Sequence, residues 1–217
     1  MRNVFRHPLR SSLSLLGAGV AFFGLLGDAR PSDAEARFDE RGYEIELGVK
    51  AGFVSAPTAG YVSPFGLGFG GRLGASFSGV YVGVSVVDFL GGSDGTISEH
   101  SILYGGEIGY GCRIHDVGGG SITIRPLVGL GVAALERTDS SKVDIVSTAS
   151  GRTATSGQTT TVSNLYVEPG LSLLYANGSH FFALHAGALI VPNLSYDANG
   201  AQTWVSYAAR AEVGFRF

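Results

Sequence analysis

The chain has 217 residues, of which 34 are glycine, 45% are apolar and only 15% are charged. This composition excludes an intrinsically disordered chain. The single cysteine excludes an intrachain disulfide framework and a zinc site built from several cysteines. The formal net charge of −3 gives no reason to expect a nucleic-acid partner. The length suits one domain, or at most two small ones.

The first 36 residues have the pattern of a secretory signal peptide. Basic residues at Arg2, Arg6 and Arg10 precede an apolar run over 13–26, and small residues follow it. The run is shorter than the roughly 20 residues that a membrane-spanning helix needs. Cleavage after Ala29 or after Ala36 fits the pattern, and we prefer Ala36. We therefore expect a signal peptide over 1–36 and one mature domain over 37–217, with an uncleaved N-terminal anchor as the alternative.

After residue 40 apolar residues recur with a period of two, which is the pattern of a β-strand whose two faces differ. The pattern marks eight segments, near residues 43–53, 67–77, 80–86, 102–110, 122–132, 165–175, 180–191 and 205–217. Their lengths are close to the 9–11 residues or so of a tilted transmembrane strand. An even number of such strands suits a closed barrel, which has no exposed edge in lipid.

The connections between these segments alternate in length. Long connections are predicted over 54–66, 88–99, 136–162 and 192–203, and shorter ones at Ser78-Gly79, 113–120 and Asn177-Gly178. Long loops at one end and short turns at the other are typical of transmembrane barrels. The sequence therefore predicts an all-β, eight-stranded antiparallel up-and-down transmembrane β-barrel.

The two tight turns also predict a register. Asn-Gly is preferred in a type I′ hairpin, so Ala176 is expected opposite Ser179. In the same way, Ser78-Gly79 predicts that Phe77 lies opposite Val80. Further along the strands both registers place apolar residues opposite apolar residues, with Leu173 opposite Phe182 and Ala75 opposite Val82.

The strand face that points away from the apolar one carries the charges. The predicted interior charge network consists of Glu44, Glu46, Lys50, Arg72, Glu107, Arg125, Glu168, His185, Arg210, Glu212 and Arg216. Charges buried in a narrow interior persist only when they are paired. We expect Glu107 to pair with Arg125, and Glu168 to be a diagonal neighbour of His185. An eight-stranded barrel is just wide enough for its own side chains, so we expect a plugged interior and no open pore.

Aromatic residues near the strand ends are predicted to form two girdles at the membrane interfaces. The set consists of Tyr43, Phe77, Tyr110, Tyr175, Phe215 and Phe217 at one end, and Phe53, Tyr104, Trp204 and Tyr207 at the other. The alternative is that they are core aromatics of a soluble β-domain.

The strand pattern over 41–217 and the ending AEVGFRF (211–217) resemble the small eight-stranded outer-membrane barrels of Gram-negative bacteria, the group of OmpX, OmpW and the OmpA membrane domain. The resemblance implies an outer-membrane location and contact with lipid and lipopolysaccharide. It also implies that Phe215 and Phe217 form the signal for the outer-membrane assembly machinery. We expect a monomer without a cofactor, with a structural or surface-contact role and the extracellular loops as its interaction surface.

Barrels of this shape also include lipid A-modifying enzymes, so a hydrolase is one alternative. Glu99, His100 and Ser101 have the residue types of a hydrolytic triad. In a regular strand, however, His100 and Ser101 point to opposite faces. We also find no metal-ligand spacing, and we expect no catalytic residue and no metal site. A narrow conduit for small apolar solutes is the other alternative, and it requires a continuous apolar channel.

Residues 136–162 form the longest connection and are rich in serine and threonine. A β-prone patch at Val143, Ile145 and Val146 allows the two arms to extend the neighbouring strands as a protruding hairpin. The edge of such a hairpin could recruit a partner strand. The sequence equally allows a mobile polar loop that shields the barrel mouth.

Overall fold

The computed structural model describes residues 43–56, 62–148, 151–194 and 202–217, so the predicted signal peptide lies outside the described residues. The described part consists of the strands β1 (Tyr43–Val54), β2 (Gly66–Phe77), β3 (Val80–Phe89), β4 (Ile97–Tyr110), β5 (Cys112–Val117), β6 (Gly120–Thr148), β7 (Gly151–Asn177), β8 (His180–Leu194) and β9 (Gln202–Arg216). No helix in these ranges is long and apolar enough to cross a bilayer.

The strands form a closed antiparallel ring. Their order is β4-β3-β2-β1-β9-β8-β7-β6, and pairing between β4 and β6 closes the circle. The short strand β5 lies in line with β4, because Gly109 pairs with Leu127 of β6 and Cys112 continues the same register opposite Ile124. The strand β5 therefore continues the fourth strand of the ring beyond Gly111. The predicted all-β, eight-stranded up-and-down barrel is confirmed.

Three tight turns lie at one end of the barrel. The Ser78-Gly79 turn has the predicted register, with Phe77 opposite Val80, and positive φ at both central residues as a type I′ turn requires. The connection predicted over 113–120 is shorter than expected. Most of it is strand, and the turn itself is Gly118-Gly119, where both residues have positive φ.

The predicted register of the last tight turn is wrong by two residues. Asn177 pairs with His180, so the central residues are Gly178 and Ser179 instead of Asn177 and Gly178. Of these two, only Gly178 has positive φ, which suits a type II′ turn with glycine at its first central position. Because side chains alternate with a period of two, a shift of two residues leaves every side chain on its predicted face.

The outer wall of the barrel is apolar on every strand of the ring. Leu73, Val84, Leu130 and Leu165 are each more than half exposed, at 51%, 59%, 54% and 69%. Aromatic side chains are exposed near both ends, including Tyr43 and Phe77 at the end with the tight turns. A continuous apolar exterior of this kind is what a lipid-facing barrel presents.

Trp204 departs from the predicted aromatic girdle. It lies at an inward position of β9, is partly buried, and packs against the apolar residues inside the barrel. The neighbouring positions Val205 and Tyr207 face outward instead. Side chains alternate along the strand, so Trp204, between the outward positions Thr203 and Val205, points inward.

The interior is stacked in three levels. An upper apolar layer, at the end opposite the tight turns, consists of Val54, Phe65, Val87, Phe89, Leu103, Ala133, Leu135, Tyr166, Leu189, Val191 and Ala208. A lower apolar cluster consists of Leu174, Ala176, Phe181 and Ala183. Between them lies a layer of buried charged residues, described below.

The segment 62–65, just before β2, lies in the mouth of the barrel. Phe65 is only 1% exposed and packs edge-on against Phe89 of β3, with 5.8 Å between the ring centroids. The hydroxyl of Ser101 on β4 donates a hydrogen bond to the carbonyl oxygen of Pro64 at 2.6 Å. The upper apolar layer is therefore completed by a loop residue as well as by strand residues.

The strands β6 and β7 extend beyond the rest of the barrel. Pairing with β4 ends at Asp139, but after a register shift β6 and β7 pair again from Val143 opposite Ser156 to Thr148 opposite Gly151. The longest predicted connection is thus a β-hairpin over most of its length.

Candidate functional site: the charged interior and the barrel mouth

Glu46 of β1 is the centre of the charged layer. Its carboxylate, only 2% exposed, accepts hydrogen bonds from Arg125 on β6 at 2.6 and 2.9 Å, and from Arg72 on β2 at 2.9 Å. The strands β1 and β6 are not neighbours in the ring. The Glu46–Arg125 contact therefore spans the interior of the barrel.

The predicted pair of Glu107 with Arg125 is not formed. The residue opposite Glu107 is Gly129, and Arg125 lies four residues earlier on β6. Glu107 instead forms an ion pair with Lys50 of β1. The difference arises because interior side chains form ion pairs across the barrel, whereas the predicted pair joins neighbouring strands.

Further contacts join these residues into one ion-pair group. Arg72 Nε donates to Glu212 Oε1 at 2.8 Å, and its Nη1 lies 3.9 Å from Glu107 Oε2. The six-residue ion-pair group consists of Glu46, Glu107 and Glu212 with Lys50, Arg72 and Arg125. Three acids and three bases make it formally neutral, as buried charges require.

Tyr81 of β3 belongs to this layer, although the prediction did not include it. The guanidinium carbons of Arg125 and Arg72 lie 4.3 and 4.9 Å from the centre of its ring, within the range of cation–π contacts. Its hydroxyl donates to Glu107 Oε2 at 3.3 Å. The signal in the sequence was its position between the outward-facing Val80 and Val82, which places Tyr81 inside.

Glycines on the same level make room for these large side chains. A Cβ atom at Gly74 would lie 2.4 Å from the Tyr81 ring, and one at Gly48 would lie 2.1 Å from Glu212 Oε1. Real side chains do not approach so closely. Glycine at these two inward positions therefore has a direct steric role.

A second, smaller ion-pair group lies beside the first. Arg210 of β9 donates through both terminal nitrogens to the carboxylate of Glu168 on β7, and the Nη2–Oε2 distance is 2.9 Å. The Nε2 atom of His185 on β8 lies 3.1 Å from Glu168 Oε1. Since an ionised carboxylate only accepts, Nε2 carries the proton in this contact. We call Glu168, His185 and Arg210 the histidine group.

The remaining predicted charges lie at the rim with the tight turns. Arg216 Nη1 is 3.3 Å from Glu44, and both side chains are partly exposed. Phe215 and Phe217 face outward on the same strand end, 51% and 67% exposed. The backbone of Phe217 pairs with Ile45 of β1 and so continues the closure between β9 and β1.

Glu99, His100 and Ser101 do not converge. Ser101 is fully buried and donates to Pro64, whereas His100 lies on the outer face, with its Nε2 2.6 Å from Asp88 Oδ1. The wall of the barrel separates the serine from the histidine, so a serine–histidine pair is not formed. Among the described residues, no three His, Cys, Asp or Glu side chains are placed to hold a metal ion.

In the described part of the interior, buried charges lie next to the upper apolar layer. The upper apolar layer ends at the six-residue ion-pair group and the histidine group, which cross the barrel from β1 to β6 and from β7 to β9. An apolar solute that entered the mouth would meet buried charges. The described interior therefore presents charged side chains where the conduit alternative requires apolar ones.

Two carboxylates outside the barrel wall organise the loops. Asp94 Oδ1 accepts from the backbone N–H groups of Ile97 at 2.7 Å and Thr96 at 3.0 Å, and these bonds, that from Ile97 first, lower the pKa of Asp94. Asp139, at the base of the long hairpin, accepts from the Ser141 hydroxyl at 2.6 Å, which lowers the pKa of Asp139.

Comparison with known proteins gives similarity of structure only. No family model and no curated protein matches the chain. The N-terminal β-barrel domain of Pseudomonas aeruginosa OprF is 17% identical, with a TM-score of 0.45 over 80% of this chain and 97% of that one. Ail, the attachment invasion locus protein of Yersinia pestis, is 16% identical, with a TM-score of 0.44 over 81% and 99%. Neisserial surface protein A is 13% identical, with a TM-score of 0.40 over 81% and 96%.

At these levels of similarity the comparisons add no argument about function. The barrel assignment rests on the strand register of this chain, which closes a ring through the β4–β6 pairing.

Proposed function

We propose that the chain is an integral outer-membrane protein of the Gram-negative envelope, without enzymatic activity, that supports the membrane and presents its long hairpin for surface contact. The observation that carries the proposal is the distribution of side chains. Leucine, valine and phenylalanine cover the outside of the ring, and acids and bases are paired inside. A soluble protein has the opposite distribution, with apolar side chains inside and charged ones outside. The observed distribution is that of a barrel in lipid.

A filled interior supports a structural role over a transport role. Side chains on β1, β2, β4, β6 and β9 are joined by ion pairs across the barrel, and the mouth contains Phe65. The natural partners of such a wall are the lipid and lipopolysaccharide of the outer membrane. The paired interior charges and the closed ring leave no need for oligomerisation. We further propose that the terminal strand, with Phe215 and Phe217, is recognised by the outer-membrane assembly machinery.

The surface role rests on the free edge of the long hairpin. Pairing of β7 with β8 begins at Val167 opposite Ile190, so β7 has only β6 as a partner over 151–166 among the described residues. The sequence over 153–167 contains no charged residue and no proline, the two devices that commonly protect a strand edge. An extended segment of another molecule would find unpaired N–H and C=O groups there.

The test removes the hairpin and keeps the barrel. Asp139 lies opposite Gln158, so replacing 140–157 with Asn-Gly joins the two strands by a two-residue turn. Cells that carry the shortened protein, the full chain or no protein are compared for settling in suspension and for retention on glass coated with serum protein.

We expect the shortened protein to reach the outer membrane, to show the same mobility shift on boiling as the full chain, and to lose the increase in settling or retention. Equal settling and retention by all three cell types would contradict the contact role. Recovery of the full chain as a soluble periplasmic protein without a mobility shift would contradict the membrane assignment.

A further inference from the structure

A small cavity separates the two ion-pair groups inside the barrel. Its volume is about 30 Å³. Lys50, Glu107 and Glu212 of the six-residue group line one part of it, and the whole histidine group lines another. A cavity of roughly 10–15 Å³ on this measure is enough for one water molecule, so there is room for about two.

The lining of the cavity combines polar and charged side chains with the apolar residues Val87, Leu103 and Leu127. Tyr166 and Ser172, both almost fully buried, contribute hydroxyl groups in addition to the charged residues. Empty cavities in proteins are lined by apolar groups, whereas polar cavities hold ordered water that makes about three hydrogen bonds.

One buried donor that belongs to the cavity lining has no protein partner. Arg210 is 7% exposed, and both its terminal nitrogens bond to Glu168, but its Nε–H has no hydrogen-bond partner in the protein. A buried N–H that is left unpaired loses its hydration without compensation. Because Arg210 lines the cavity, an acceptor held there would complete the hydrogen bonding of its guanidinium.

We propose that this cavity is a hydration site, in which bound water accepts a hydrogen bond from Arg210 Nε and connects the histidine group to the six-residue ion-pair group. The bound water gives the two groups a shared hydrogen-bond network, although among the described residues no ion pair joins them directly. This proposal concerns the interior alone and does not depend on the surface role of the hairpin.

A substitution at Gly129 of β6 distinguishes a hydrated cavity from a dry one, because the stability of the barrel is expected to change in opposite directions. It lines the cavity, and a Cβ atom there would lie 3.6 Å from Glu168 Cβ and 3.8 Å from the Tyr166 ring. These are ordinary van der Waals distances, so Gly129→Ala places a methyl group in the cavity without a clash. In a dry cavity the methyl group fills a void and stabilises the barrel, whereas in a hydrated cavity it displaces water from Arg210.

The matched control is Gly106→Ala on the neighbouring strand β4. Gly106 lies opposite Leu130 and faces outward, and its Cβ would approach only the carbonyl oxygen of Gly83, at 3.7 Å. It therefore measures the effect of the glycine-to-alanine change on the unfolded chain together with the contact of the added methyl group with detergent. The full-length barrel and both variants are unfolded in urea in the same detergent.

We expect the unfolding midpoint of Gly129→Ala to lie below those of the wild-type barrel and of Gly106→Ala. A midpoint equal to or above that of the wild-type barrel would overturn the proposal. If Gly129→Ala does not fold, a crystal structure of the wild-type barrel is the deciding measurement. The proposal requires electron density for a water molecule within hydrogen-bond distance of Arg210 Nε. The absence of this density in a well-ordered map would contradict the proposal.

Discussion

The charged layer and the upper apolar layer fill the same barrel in different ways. In the charged layer, Glu46 reaches Arg125 across the interior, so single side chains link strands that are not neighbours. In the upper layer, aliphatic and aromatic residues of many strands pack together and a loop residue, Phe65, completes the packing. The comparison shows that the interior of a narrow barrel can be filled either by specific ion pairs or by apolar packing among many residues.

The two layers should also respond differently to mutation. A buried ion pair is weak evidence of net stability, but removing one partner leaves an uncompensated buried charge. An apolar contact that is lost leaves a cavity, and its energetic penalty depends on how far the surroundings can relax. Substitutions in each layer, with matched controls, therefore test whether the difference is real.

The largest effect is expected in the charged layer, from Glu46→Gln. The change removes the negative charge that Arg72 and Arg125 share, and the expected loss in the free energy of unfolding is about 3–5 kcal/mol. Glu44→Gln is the control, because Glu44 pairs with Arg216 at the partly exposed rim, where an ion pair contributes about 1 kcal/mol or less. The measurement is urea unfolding in detergent, and equal losses in the two variants would contradict the account of the charged layer.

The next effect is expected in the upper layer, from Phe65→Ala. Removing a buried phenylalanine ring is expected to lower the free energy of unfolding by about 3 kcal/mol. Phe69→Ala removes the same ring from the lipid-facing wall, where Phe69 is 58% exposed, and should have a smaller effect because detergent fills the space and no cavity remains. Limited proteolysis should also cleave near 62–65 faster in Phe65→Ala, and unchanged stability and cleavage would mean that the loop does not complete the layer.

A smaller effect is expected from Ser101→Ala, which removes the hydrogen bond to the carbonyl oxygen of Pro64. The expected loss is about 1 kcal/mol, together with faster cleavage near 62–65. Ser98→Ala, at an exposed position on the same strand, is the control. A lipid A acyl pattern that changes in Ser101→Ala cells alone would instead assign chemistry to this serine.

The smallest effect concerns the loop between β3 and β4. The hydrogen bonds from Ile97 and Thr96 lower the pKa of Asp94, so the ionised form is favoured in the folded loop. The resulting stabilisation is present above the ordinary pKa of an aspartate and is lost as the pH falls through the lowered pKa. Hydrogen exchange at the Ile97 amide should therefore lose protection in acid, and this pH dependence should vanish in Asp94→Asn while the barrel midpoint changes little.

The strand faces could be predicted from sequence because each depends on local alternation. Even the β7–β8 hairpin, whose register differs by two residues, keeps Leu173 outside and Ser172 inside. The period of two makes the face independent of such a shift.

The partners inside the barrel could not be predicted in the same way. Arg125 selects Glu46 from a strand on the other side of the ring, and this choice depends on the diameter of the barrel and the stagger of its strands. The insertion of Phe65 depends on a loop path that carries no periodic signal. Local sequence patterns therefore determine which side chains face outward and which face inward. The diameter and stagger of the closed barrel determine which inward side chains come into contact.

The most direct test of the central claim, a lipid-embedded barrel sealed by paired charges, is solute release from vesicles. Purified full-length protein is reconstituted into lipid vesicles loaded with potassium chloride, and its folded insertion is verified by the mobility shift on boiling. The account predicts that these vesicles release potassium no faster than vesicles without protein. Rapid release from vesicles that contain the folded protein would contradict it.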